Sequence, residues 1–179
     1  MRRVIVVGVM GPGEGASEAD RDAAYRLGEY IGSQGWVVLN GGRKEGVMNM
    51  VNLGARDTKG LTIGIHPQDT RQENPESVIL PIVTGMGNAR NCINVLSSDI
   101  VVAVAFHVGA GTTAEVALAV KAGKPVLLIT ENTCCAQFFK ELSKNQIRIF
   151  ASVEQAIPAL EPMVKAVLGD QDLIRIWVS

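Results

Sequence analysis

Short apolar runs alternate with helical patterns along almost the whole chain, and that alternation constrains the fold more than any other feature. Seven strand-like runs stand out: RVIVVGV (3–9), WVVLN (36–40), LTIGI (61–65), SVILPIV (77–83), DIVVAVAF (99–106), PVLLIT (125–130) and IRIF (147–150). Between most of them lie helical spacings. The stretch from Ala19 to Gln34 places apolar residues at Ala23, Ala24, Leu27 and Ile31, one face of a helix. Val47 to Arg56, Met86 to Ser97 and Thr112 to Ala122 follow the same pattern, and a last helix opens at Ser152. Ser17 with Asp20, Ser152 with Gln155, and Thr112 with Glu115 each read as a capping box. Strand alternating with helix dictates a parallel sheet covered on both faces, with right-handed crossovers. The expected fold is therefore α/β, a three-layer sandwich with a mostly parallel sheet of about seven strands. Only HPQDTRQENPES (66–77) lacks a helical pattern, and it reads as a polar surface loop beside the strand ends.

Composition agrees with buried parallel strands. Hydrophobic residues make up 47% of the chain but aromatics only 4%, so the apolar content is Val, Ile, Leu and Ala. A length of 179 residues predicts a single domain over 1–179 with a sizeable core. The formal net charge of -1 argues against general nucleic-acid binding, which needs a basic excess. Cys92, Cys134 and Cys135 have neither disulfide nor zinc spacing and read as small buried hydrophobes in a reducing cytoplasm. The first apolar run breaks into a Gly-Pro-Gly loop, so it reads as a strand rather than a signal peptide. No stretch is long enough to predict a membrane span.

In sheets of this kind ligands bind beyond the carboxyl ends of the strands, where strand order reverses. Four loops leave strand ends carrying glycine. They are GVMGPGEGAS with Gly8, Gly11 and Gly13; NGGRKEGVM with Gly41, Gly42 and Arg43; TGMGNARN with Gly85, Gly87, Asn88 and Arg90; and VGAGTTAE with Gly109, Ala110, Gly111, Thr112 and Thr113. Glycine lets backbone amides approach a ligand, and a helix N-terminus adds partial positive charge. Together they bind anions without lysine. No GxxxxGK[ST] occurs, so a P-loop nucleotidase is excluded.

The individual residues leave alternatives open. Glu115 serves either as the reach-back residue of a cap or in chemistry. Gly109-x-Gly111-x-x-Ala114, with Glu131 further on, also matches a dinucleotide fingerprint, though after the fifth strand rather than the first. Arg90 stands in the first turn of a predicted helix, a poor place for a cation relative to the helix dipole, and a good one for a phosphate clamp. Arg43 and Lys44 suit the same task or simple solvation. His66 and His107 each end a strand with no partner at metal spacing, and no metal site is expected.

The segments NGGRKEGVMNMVNLGA, GLTIGIHP, GNARN and GAGTTAE together resemble the Rossmann-like superfamily labelled lysine decarboxylase-like. It includes Lonely Guy-type phosphoribohydrolases and molybdenum cofactor carrier proteins. The resemblance spans about residues 3 to 150. It implies no pyridoxal phosphate, for which no lysine motif is evident. In the hydrolases a PGGxGTxxE motif and an upstream Met-His-x-Arg-Lys segment carry catalysis, which map here to Glu115 and Arg90. The chain departs from them at His107, Val108, Asn88 and Asn91. GVMGPGE and TGMGNARN…NVLSSDIVVAV are more similar to the carrier proteins. The resemblance implies a carrier or storage protein with molybdenum cofactor as cargo, an apo-molybdoenzyme as recipient, and a homodimer or homotetramer. A nucleoside monophosphate hydrolysed at Glu115 and Arg90 is the alternative.

Overall fold

The computed structural model describes residues 2–71, 74–144 and 146–178. Its elements follow in the order β1 (Arg2–Val4), β2 (Val6–Met10), α1 (Glu18–Ser33), β3 (Val37–Asn40), α2 (Gly46–Asp57), β4 (Thr62–His66) and β5 (Leu80–Val83). A 3-10 turn (Gly87–Arg90) leads into α3 (Asn91–Leu96), then β6 (Ile100–Val104), α4 (Ala110–Lys121), β7 (Val126–Ile129) and α5 (Thr133–Leu142). The chain ends with β8 (Arg148–Phe150), α6 (Val153–Leu168) and β9 (Asp172–Ile174). Seven strands form one sheet in the order β5-β4-β3-β2-β6-β7-β8, with every pairing parallel. This is the Rossmann-like three-layer arrangement that the sequence pattern predicts.

The four central strands β3, β2, β6 and β7 are buried on both faces, which explains their unbroken Val, Ile and Leu. On one face Leu27 and Ile31 of α1, Val47 and Val51 of α2, and Leu160 and Val164 of α6 meet the sheet. On the other face Val95, Val116, Ala119 and Phe139 bring α3, α4 and α5 against it. The chain runs outward through β3, β4 and β5, then crosses back to lay β6 beside β2. Strand order therefore reverses between β2 and β6, and their carboxyl ends open a crevice there.

Several local expectations are revised. The first run is two strands, split at Ile5. Asp99 takes the Val6 amide at 2.9 Å and pairs with Arg3, so β2 joins the main sheet while β1 turns aside to pair with β9. The Met86 to Ser97 helix is a 3-10 turn followed by a short α-helix, with Arg90 at the junction. Ser17 and Asp20 do form a reciprocal capping box on α1. Ser152 is the N-cap of α6, but its side chain makes no cap bond, and Gln155 instead accepts from the Ala151 amide at 3.3 Å. The Thr112–Glu115 box does not form. Helix α4 starts earlier, with Gly109 as N-cap, which puts Glu115 too far along to reach back. Of the cysteines only Cys135 is buried; Cys92 and Cys134 face solvent because they lie on the outer sides of α3 and α5. Gln72 and Glu73 of the 66–77 loop lie outside the described residues.

Candidate functional site

A cleft of about 520 Å³ lies at the carboxyl edge where β2 and β6 diverge. Its walls are the loop after β2 (Met10 to Glu14), Gly41 and Arg43 after β3, Asn88, Arg90 and Asn91 at the 3-10 turn, and His107 with Gly109 to Thr112 at the start of α4. Glu115 closes it one turn further along that helix. All four glycine-bearing loops of the sequence therefore border one crevice or its rim.

The N-terminus of α4 is open. Gly109 is its N-cap in extended conformation, with no side-chain cap and no acidic residue in the first turn. The Thr113 amide bonds the Gly109 carbonyl at 3.0 Å, and the Thr113 hydroxyl donates to the same oxygen at 2.9 Å. The amides of Ala110, Gly111 and Thr112 belong to the turn that no helical carbonyl can satisfy, and they border the cleft. A Cβ added at Gly109 or Gly111 would meet nothing within 4 Å. The fold's own packing does not require glycine at either position; the space is left for something else.

Asp20 holds the approach to this turn. Its carboxylate accepts from the Ser17 amide and hydroxyl at 2.9 and 2.6 Å, and also from the Phe106 and His107 amides at 3.0 and 3.3 Å. The start of α1 is thus pinned to the segment that presents α4. A capping signature in the sequence gives no hint of this second use.

Arg90 lies beneath the cleft with only 5% of its surface exposed. Its Nη1 donates to Asn91 and stands 3.6 Å from Oε1 of Glu115, itself 7% exposed. Asn94 donates to the same Glu115 oxygen at 2.9 Å. Burial pushes the Glu115 carboxyl above its ordinary value, opposed by the Asn94 hydrogen bond and by the charges of Arg90 and Arg43. Burial likewise lowers Arg90, opposed by Glu115 and reinforced by Arg43. The Arg90 Nε has no hydrogen-bond partner among the described residues. A buried guanidinium with an unspent donor beside an open helix N-terminus is an arrangement whose chemistry suits an anion. Gly41 makes room for it: a Cβ there would lie 2.7 Å from the Arg90 Cζ.

Of the residues singled out in the sequence, Gly11, Gly13, Gly41, Arg43, Asn88, Arg90, Gly109, Ala110, Gly111, Thr112 and Glu115 line the cleft. Gly8, Gly42, Gly85, Gly87 and Thr113 do not. Gly8 is a packing glycine inside β2, where a Cβ would come 2.9 Å from the Ser98 Cβ. Glu131, the acidic member of the dinucleotide match, borders a separate recess with Ala19 and Ser152. His107, Asn91 and Ala114, named in the sequence for other reasons, also line it, and the structure adds Met10 and Met48 to the walls and Asn94 behind Glu115. Asn94 stands four residues after Arg90, so its place on the same helical side was legible; its bond to Glu115 depends on tertiary packing.

A family model described as the SLOG cluster4 family matches residues 4–157, the whole seven-stranded sheet and every wall of the cleft. The chain belongs to that family. Solved structures similar to it include the molybdenum cofactor binding protein from the phototrophic bacterium Rippkaea orientalis, 46% identical with a TM-score of 0.86, covering 90% of this chain and 98% of that one. The Moco carrier protein from Chlamydomonas reinhardtii is 41% identical with a TM-score of 0.83, covering 92% of this chain and 99% of that one. An uncharacterised protein of Archaeoglobus fulgidus is 41% identical over 124 residues, 69% of this chain and 79% of its own length.

Proposed function

We propose that this SLOG cluster4 protein binds molybdenum cofactor as cargo and serves as its carrier or store. The observation that carries the reading is the uncapped N-terminus of α4 facing the cleft beside buried Arg90. The cofactor is an organic anion with a terminal phosphate and an oxygen-rich metal end. Helix amides and one guanidinium suit the phosphate. The molybdenum arrives already ligated by the cargo itself, so the protein need not supply metal ligands. Similarity to the Rippkaea and Chlamydomonas proteins, over nearly their full lengths, supports this choice among phosphorylated ligands.

In this reading Gly11, Gly13, Gly41, Asn88 and Gly109 to Thr112 shape the pocket, and Arg90 takes the phosphate. Glu115 is the buried counter-charge that holds Arg90 when the site is empty. The protein works in the cytoplasm and hands its cargo to a molybdoenzyme apoprotein. It assembles as a homodimer or homotetramer: α4 leaves Ala114 exposed and Ala117 and Leu118 half-covered beside exposed Leu96 of α3, an apolar face for another copy.

The decisive experiment purifies the protein from a cofactor-producing host, oxidises it in acid and measures fluorescent pterin and molybdenum per chain. Both are expected in equal amounts, and Arg90→Ala is expected to lose both. Wild-type protein free of both, after purification without oxygen, would refute the carrier reading.

A further inference from the structure

The carrier reading accounts for one anionic end of the ligand, and the structure offers a place for the other. A second cleft of about 230 Å³ lies beside the first, lined by Gly42, Arg43, Lys44, Glu45, His66 and Gln68. It opens at the carboxyl ends of β3 and β4, and Arg43 lines both clefts. We propose that this second cleft is an oxyanion subsite, continuous with the first through Arg43, which takes the far anionic end of the ligand whose phosphate sits at α4. The inference rests on the carrier reading for the ligand's two-ended character, but not for the subsite itself.

Size is the first argument. Pockets for whole ligands begin at about 300 Å³, so the second cleft suits a group rather than a molecule. Charge is the second. Arg43 and Lys44 against Glu45 leave one net positive charge, and neither cation is in a salt bridge among the described residues. Loop construction is the third. His66 is 2% exposed yet borders the cleft, so a polar ring forms its floor. Gly42 has φ +67, and a Cβ on it would lie 2.6 Å from the His66 Nε2. Glycine is therefore required for the loop to lie flat on the imidazole, which sets Arg43 and Lys44 at the rim. The Gln68 amide is a further polar group in the lining. An oxygen-rich, negatively charged end matches such a set of donors; an aromatic ring or a cation does not.

The test uses inorganic tungstate, a tetrahedral oxyanion that scatters X-rays anomalously, soaked into crystals of wild type and of Lys44→Glu. Wild type is expected to show one peak in each cleft, and Lys44→Glu to lose the second alone. A peak in the first cleft only, or a second peak that survives Lys44→Glu as an adventitious ion, overturns the subsite. A peak in the second cleft only supports the subsite and overturns the assignment of the phosphate to α4. Two empty clefts overturn both. In solution, Lys44→Ala is expected to weaken binding of the complete cofactor about three- to fivefold, as loss of one exposed charge should. Equal affinity of wild type and Lys44→Ala for the complete cofactor also overturns the inference.

Discussion

Gly41→Ala tests whether the buried guanidinium holds the ligand, because it disturbs Arg90 without removing it. A methyl at this position would lie 2.7 Å from the Arg90 Cζ and 3.1 Å from the Met48 Sδ. The Arg90 Nη2 lies closer still, and ordinary contact begins at about 3.5 Å, so the guanidinium must retreat by about an ångström or more. It cannot do so freely: it is buried, donates to Asn91 and faces Glu115 at 3.6 Å. Overfilling a packed site costs about 1–3 kcal/mol, and this one should fall within that range because the guanidinium yields only in part. The binding loss should be larger. Misplacing one charge-assisted hydrogen bond removes about 1.5–3 kcal/mol, tenfold to a hundredfold in affinity. Denaturant unfolding gives the first number, and pterin retained per chain at fixed cofactor gives the second. The methyl also narrows the cleft, so a double-mutant cycle is needed. If it acts through Arg90, adding Gly41→Ala to Arg90→Ala costs little further affinity. Wild-type affinity in Gly41→Ala, or fully additive losses in the double variant, would show that the guanidinium is not the contact.

Gly109→Ala makes the opposite test. Its methyl meets no protein atom within 4 Å and its φ of -115° suits any residue, so stability should change by less than about 1 kcal/mol while ligand affinity falls; unchanged affinity would place the ligand elsewhere. Glu115→Gln keeps an acceptor for Asn94 but removes the counter-charge of buried Arg90, so the variant should lose stability in the empty state and still bind, because the incoming anion supplies that charge. Robust release of base from AMP by wild type, lost in that variant, would move the assignment to a hydrolase. Tyr25 donates to Asp57 at 2.5 Å, and its phenol is pushed up to about 12, chiefly by that bond. Its raised value means that the bond's contribution is complete below pH 10 and is lost as pH rises through 12. Ultraviolet titration should show no folded tyrosinate from Tyr25 near pH 10, and an ordinary transition there would refute the hydrogen bond.

The sheet was legible because its strands need no partner to declare themselves. VVLN, DIVVAVAF and PVLLIT are apolar on both faces, a requirement of central parallel strands. The segment Asp172–Ile174 was not legible, since a three-residue strand with one half-buried and two exposed positions has little pattern to read. The glycine loops gather round one cleft at the carboxyl edge of the sheet, where topology places a site in such folds. The role of Glu115 did not follow. TTAE satisfies a local capping rule, yet the helix begins at Ala110 and the carboxylate turns to Arg90 and Asn94. Local signals rank possible partners; only packing selects among them. The same limit hid the second task of Asp20, whose partners at Phe106 and His107 lie far along the chain.

The small sheet made by β1 and β9 joins opposite ends of the described chain. Arg2 pairs with Asp172 and Val4 with Ile174, while Trp177 bridges back to Gly60. Contacts so distant in sequence close the longest loop among the described residues, and loop closure of that kind comes late in folding. During synthesis the cleft's walls, complete at Glu115, emerge well before β9 exists. The seven-stranded sheet and its crevice can therefore assemble first, and the residues of β9 then fasten a strand already in place. The order of synthesis thus separates the part that carries the cleft from the part that locks the fold.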